Sequence, residues 1–164
     1  MRTTEIASTL TRLFSELADG PGGEAFMLNS GDAGLLRSLD RLPASGASHS
    51  SGGGATIAAH AQHLRYGLSL MNRWAAEGGN PFADATWEAA WKVSTVSDVE
   101  WQEIRTGLRE EARRWQTTLG TARDVNEAEL AGMISSIAHL AYHLGAMRQI
   151  AKALRGPKEG TYGA

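Results

Sequence analysis

"SIAHLAYHLGAMRQI", residues 136–150, places His139 and His143 one helical turn apart in a run whose single charge is Arg148. Apolar residues recur there at intervals of three and four, the period of a helix rather than a strand. A buried imidazole costs free energy unless it finds a partner. Two of the chain's five histidines therefore need one here. The uncharged run extends from Leu130 to Met147, but it contains Ser135, Ser136, Tyr142 and both histidines. In a chain of negative mean hydropathy this favours a buried helix over a membrane-spanning one.

Outward from this run, three further segments carry the helical spacing, and no segment sustains a period of two. The first spans about Thr4–Asp19, with Ile6, Leu10, Leu13 and Leu17 on one stripe and "GPGG" at 20–23 ending it. A short helical piece, Ala33–Leu42, stops before Pro43. "SGASHSSGGGA", 45–55, reads as a flexible loop, because glycine and serine free the backbone and offer little to bury. The second long helix spans about Thr56–Ala76, with Ile57, Ala61, Leu64, Leu68 and Met71 as its seam and "GGNP" at 78–81 as its stop.

A connection over 81–95 contains "WEAAW", with Trp87 and Trp91 four residues apart, and suits a crossover that lays its aromatics on the helices. Ser97 with Glu100, and Asn126 with Glu129, are capping boxes. They open a third long helix, to about Leu119, and a fourth, to about Leu154 before Gly156 and Pro157. Glu103, Arg105, Arg109, Glu110, Glu111, Arg113 and Arg114 of the third read as a solvated face. On the fourth, the expected buried stripe is Leu130, Ile134, Ile137, Ala141 and Leu144. Four such seams are buried most simply by one another. The expected fold is all-α, a four-helix bundle forming a single domain over 1–164, with a long crossover between the second and third helices.

The bulk properties narrow the function. With 164 residues and a net charge of -2, the chain offers no basic face to a nucleic acid or to an anionic membrane. It has no cysteine, so a thiolate metal site, a disulfide framework and a cysteine nucleophile are excluded. The start, "MRTTEIASTLTRLF", lacks the apolar core of a secretory signal, so the expected location is cytoplasmic.

Two histidines at i and i+4 stack on one helix face with their Cβ atoms about 6 Å apart, which lets two ring nitrogens converge on one ion. His139 and His143 meet that condition. In "TIAAHAQHLRYG", 56–67, His60 and His63 lie three apart, while His49 in the glycine-rich loop has no such neighbour. Two histidines on one helix and one on another are what a three-histidine metal site needs. The same residues also fit separate histidines, each satisfied by a backbone or water hydrogen bond. At about 100° per residue, His60 lies within about 50° of the second helix's seam and His63 about 110° from it, so angle alone nominates His60. His139 and His143 lie more than about 100° from their own expected stripe, on the flank with Ser136, Leu140, Met147 and Ile150. A site on that flank, off the central axis and open to solvent, suits His63 instead.

Together with "GLLRSLDRL" (34–42), "TIAAHAQHLRYGLSLMNRW" (56–74), the "WEAAW" loop and the helix of Trp101 and Trp115, these residues resemble the DinB/YfiT-like family of metalloenzymes. The resemblance covers nearly the whole chain in the family's order. It implies a four-helix bundle and a histidine triad, one from an "HL" step on the second helix and two, four apart, from the fourth. Here those are His63, followed by Leu64, with His139 and His143. His60 then serves as an orienting neighbour or substitute ligand, and Tyr66 and Tyr142 are further candidates to support the ligands. Gly145 matches the glycine that follows the last ligand, while Ala146 stands where many members carry glutamine.

The activity implied is that of a metal-dependent enzyme, a thiol-dependent transferase or a hydrolase. The cofactor would be a divalent metal ion, zinc or nickel, since imidazole suits both. The partners implied are a small-molecule substrate, with a low-molecular-weight thiol in the transferase case, and a second copy in a homodimer. The alternative is a non-catalytic metal-binding bundle or a dimeric stress-related module. A site closed by His60 would point to that alternative, and an open position facing a pocket would point to catalysis.

Overall fold

The computed structural model describes residues 2–159. Every regular element among them is helical: α1 (Thr3–Asp19), α2 (Gly34–Asp40), α3 (Ala44–Ala47), α4 (Ile57–Glu77), α5 (Trp87–Trp91), α6 (Asp98–Gly120) and α7 (Glu127–Ile150). A 3-10 turn follows at Lys152–Leu154. The helix starts follow from their side chains. The Thr56 hydroxyl accepts the Ala59 N–H, and Ser97 with Glu100 and Asn126 with Glu129 form reciprocal capping boxes. Gly20 and Gly78 end α1 and α4 at φ 87° and 72°, a region that glycine enters without steric penalty.

The four long helices pack in a closed order, α4 against α6 and α7, and α1 against α6 and α7, with α2 bracing α1 and α6. Phe14, Leu64, Leu108, Trp115, Leu140 and Met147 meet in the core. The two large indoles there keep their N–H groups satisfied: Trp101 donates to the Leu42 carbonyl at 2.7 Å and Trp115 to Ser136 Oγ at 2.8 Å. That removes the penalty of burying a polar atom and leaves the apolar gain of each ring. No helix among the described residues is long and apolar enough to cross a membrane.

Four expectations are corrected. The stretch 45–55 is not all loop, because α3 forms its first turn with Ala44 and Ala47 buried against the core, side chains small enough for a close approach. The last long helix ends at Ile150, short of Leu154; Ala151 leaves the helix at φ -128°, and the 3-10 turn drives Leu154 into the core. The buried stripe of α7 is Met133, Ile137, Leu140, Leu144 and Met147, while Ile134 is 53% exposed. Almost every position there is uncharged, so the one-dimensional pattern fits several stripes and contact with α1 and α4 selects one. Finally, the α6 charges do more than face solvent: Arg109 pairs with Asp40 and Arg113 with Asp19, each at 2.6 Å, joining α6 to α2 and α1.

Candidate metal centre

His63 on α4 and His139 and His143 on α7 bring one ring nitrogen each within 4.8 Å of one another. The Nε2 atoms of His139 and His143 lie 2.8 Å apart, and those of His63 and His139 3.2 Å apart. The i, i+4 spacing stacks the α7 pair, and the packing of α4 on α7 supplies the third ring. His60, which the angular reading nominated, lies behind this group: its Nδ1 is 2.8 Å from His143 Nδ1. His60 and His63 are both buried, so depth does not separate them; their directions do. His49 is exposed in its loop and takes no part.

Burial is the main reason these imidazoles stay uncharged. It lowers His143 to about 3 and His63 to about 4, helped by the neighbouring histidines, and lowers His60 and His139 as well. Neutral imidazole is the form that ligates a metal. One arrangement of protons satisfies all three contacts without an ion: His60 donates to His143 Nδ1, while His143 and His63 donate to an unprotonated His139 Nε2. Moving the two inward protons to the outer nitrogens, and the His60 proton from Nδ1 to Nε2, leaves three bare Nε2 atoms and lets His143 Nδ1–H donate to His60 Nδ1. Tetrahedral zinc with Zn–N bonds of about 2.0–2.1 Å sets nitrogens about 3.3 Å apart, beside 3.2 Å for His63–His139 and 2.8 Å for His139–His143. The donor set can therefore hold a metal ion. His63 departs from the usual pattern in one respect: its Nδ1 is buried with no hydrogen-bond partner. Its ring is held instead by stacking on Trp91.

The crossover covers the site. Trp91 stacks on His63 at 4.3 Å and meets His60 edge-on at 5.3 Å, while Trp87 lies 5.2 Å from His63. The expectation of a flank open to solvent is thus corrected, since these indoles wall it and His143 is 2% exposed. Both tryptophans were read from the sequence as packing residues only. Their own i, i+4 spacing was the one visible sign that they share a helix face. Tyr66 supports the crossover rather than a histidine: its hydroxyl accepts the Thr86 N–H at 2.9 Å, a bond that lowers its pKa, and its ring meets Trp87. Tyr142 is 70% exposed and lies edge-on to His143 at 5.0 Å.

Beside the histidines a cavity of about 430 Å³ opens between α4 and α7, beneath the segment 79–87. His139 forms part of its wall, next to Gly67, Leu140 and Trp87. The site therefore has a sealed side, toward His60 and Trp91, and a side that adjoins an apolar space.

No protein-family model, curated protein or solved structure matches the chain. Fold and site together define an all-helical protein with a three-histidine group that can hold a metal ion.

Proposed function

We propose that the chain is a metal-dependent enzyme of the DinB/YfiT-like type, a single-domain four-helix bundle that acts on a small molecule at a three-histidine divalent metal site. Thiol-dependent group transfer is the first reaction class and hydrolysis the second. The observation that carries this reading is the convergence of three neutral imidazoles from two helices on the edge of an apolar cavity. His60 supports catalysis over a closed structural site, because its Nδ1 is directed at the back of His143 and His60 is not among the three converging rings.

In this reading His63, His139 and His143 hold the ion, with zinc or nickel both suited to the donors. A divalent metal on three neutral ligands keeps its full charge and lowers the pKa of a water or thiol bound to it. His60 would accept a hydrogen bond from His143 Nδ1–H and so fix the tautomer that leaves His143 Nε2 bare for a metal. Trp91 and Trp87 exclude water from one side and hold the His63 ring. His139, in the cavity wall, marks where a reacting group would approach. A homodimer belongs to the same reading, and Ile134, 53% exposed on α7, is apolar surface that it would cover.

The test is elemental analysis of the untagged full chain beside His63→Ala and His143→Ala, followed by turnover of the metal-loaded protein on a panel of thiols and electrophiles. Stoichiometric metal that both variants lose supports the site. Full occupancy in both variants overturns it, and a loaded protein inert across the panel overturns the transferase assignment.

A further inference from the structure

We infer that the 430 Å³ cavity beside His139 is a binding site for a neutral, flat apolar group, and that Gly67 keeps it open. This rests on the functional reading above only in calling the occupant a substrate. Its volume lies within the range of about 300–1,000 Å³ typical of small-molecule pockets. None of its lining side chains is charged. The polar side chains besides His139 are neutral, and two of them are engaged within the protein: Ser136 Oγ donates to the Met133 carbonyl and accepts from Trp115, and Asn80 Oδ1 accepts the Phe82 N–H. A charged ligand would be desolvated there without an opposite charge. Trp74, Phe82 and Trp87 supply aromatic walls, and Phe82 and Trp87 lie 6.1 Å apart at only 19° between planes. Such walls favour a ring over a branched chain.

The two helical glycines of the wall serve different ends. At Gly132 a Cβ would lie 2.6 Å from the Trp74 ring, so that glycine makes room for the protein's own indole. At Gly67 the nearest atoms to a Cβ would be His139 Cε1 and Trp87 at 3.8 Å, ordinary contact distance. Packing therefore does not demand a glycine at position 67. Glycine in a helix interior nevertheless costs about 1 kcal/mol relative to alanine. What the missing side chain leaves is room for about a methyl group against His139 and Trp87, in the wall of the cavity.

The probe is N-phenyl-1-naphthylamine, a neutral aromatic amine whose fluorescence rises on leaving water, titrated into the metal-free full chain. Its sulfonated counterpart, 1-anilinonaphthalene-8-sulfonate, is titrated in parallel. The expected result is one saturable site for the neutral probe and at least tenfold weaker binding of the sulfonate. Gly67→Leu fills the space from α4, and Ser135→Phe from an exposed position on α7 where misfolding is not a concern. Each should weaken the neutral probe at least tenfold, while Gly67→Ala folds normally and weakens it less. Wild-type-like binding in Ser135→Phe and in folded Gly67→Leu would overturn the inference, as would failure of the wild type to bind or a preference for the sulfonate. Zinc uptake by equilibrium dialysis separates this from the proposed function. Probe binding by a wild type that takes up no zinc keeps the cavity and sinks the metal site, whereas zinc uptake without probe binding does the reverse.

Discussion

Arg148 and His143 lie five residues apart on α7 and are almost equally withdrawn from solvent, 5% and 2% exposed, yet their surroundings differ in kind. Arg148 Nη2 donates to both oxygens of Asp32 at 2.8 and 2.9 Å, and Nη1 donates to Glu159 at 2.8 Å. Asp32 is 116 residues away in sequence, so this cluster ties the last helix to the α1–α2 connection and to the segment after α7. Around His143 the partners are imidazoles, an indole and the Tyr142 ring, and among the described residues no carboxylate joins the histidine group. A buried group whose countercharges are built in is balanced in charge and acts as a strut, even with Arg148 Nε left without a partner. A buried group with only neutral nitrogens holds its shape by shared protons and can exchange them for a cation.

The sharpest way to break this contrast is at the strut. Asp32→Ala leaves the buried Arg148 guanidinium with Glu159 as its remaining carboxylate, and loss of one member of a buried pair costs up to about 3–5 kcal/mol. Thermal melts should show a large fall in Tm, and a loss below about 1 kcal/mol would mean that the Arg148 cluster is not structural. At the histidines the expected sign is the opposite, since adding a ligand stabilises. Zinc at a hundred times its Kd should raise stability by about 2.7 kcal/mol in the wild type, and Tm should be unmoved by zinc in His143→Ala.

Acidity tests the same cluster without metal. The histidines are lowered in the folded state, His143 to about 3 and His63 to about 4, against an unfolded value of 6.5. Below pH 6.5 the unfolded chain takes up protons that the folded chain refuses, so stability falls as pH drops toward 4 and is flat above 6.5 on this account. Melting the metal-free protein from pH 7.5 to 5 should show that fall, with a shallower slope in His143→Ala. An unchanged slope would place the acid sensitivity elsewhere. His60→Ala should weaken zinc by about 10- to 100-fold while leaving stoichiometry at one, as expected for a residue that orients a ligand. An equilibrium titration with a competing chelator reads this directly, and complete loss of zinc would make His60 a ligand. The smallest effect belongs to Tyr142→Ala, which removes an exposed ring and should stay within about 0.5 kcal/mol in stability.

Much of the helical layout was legible because its signals are local. Ser97–Glu100 and Asn126–Glu129 capping boxes, and the glycines that end α1 and α4, act over three or four residues and carry their geometry with them. The α4 seam was legible too, since Ile57, Ala61, Leu64, Leu68 and Met71 stand apart from polar neighbours, and all five are buried. The α7 stripe was not, because a helix apolar on every side gives its partners the choice. Nor was the Asp32–Arg148 pair visible, as neither residue has a local pattern that announces the other.

By itself, then, the sequence determined where most helices begin and end, and that two histidines of α7 share a face, because both depend on turn-scale spacing. Only the tertiary structure decided that His63 joins them while His60 turns to the back of His143. It also decided that Trp91 covers one side and that an apolar cavity adjoins the other. Those outcomes depend on how α4, α5 and α7 rotate against one another, and that rotation is set by summed packing over the core rather than by the residues of the site.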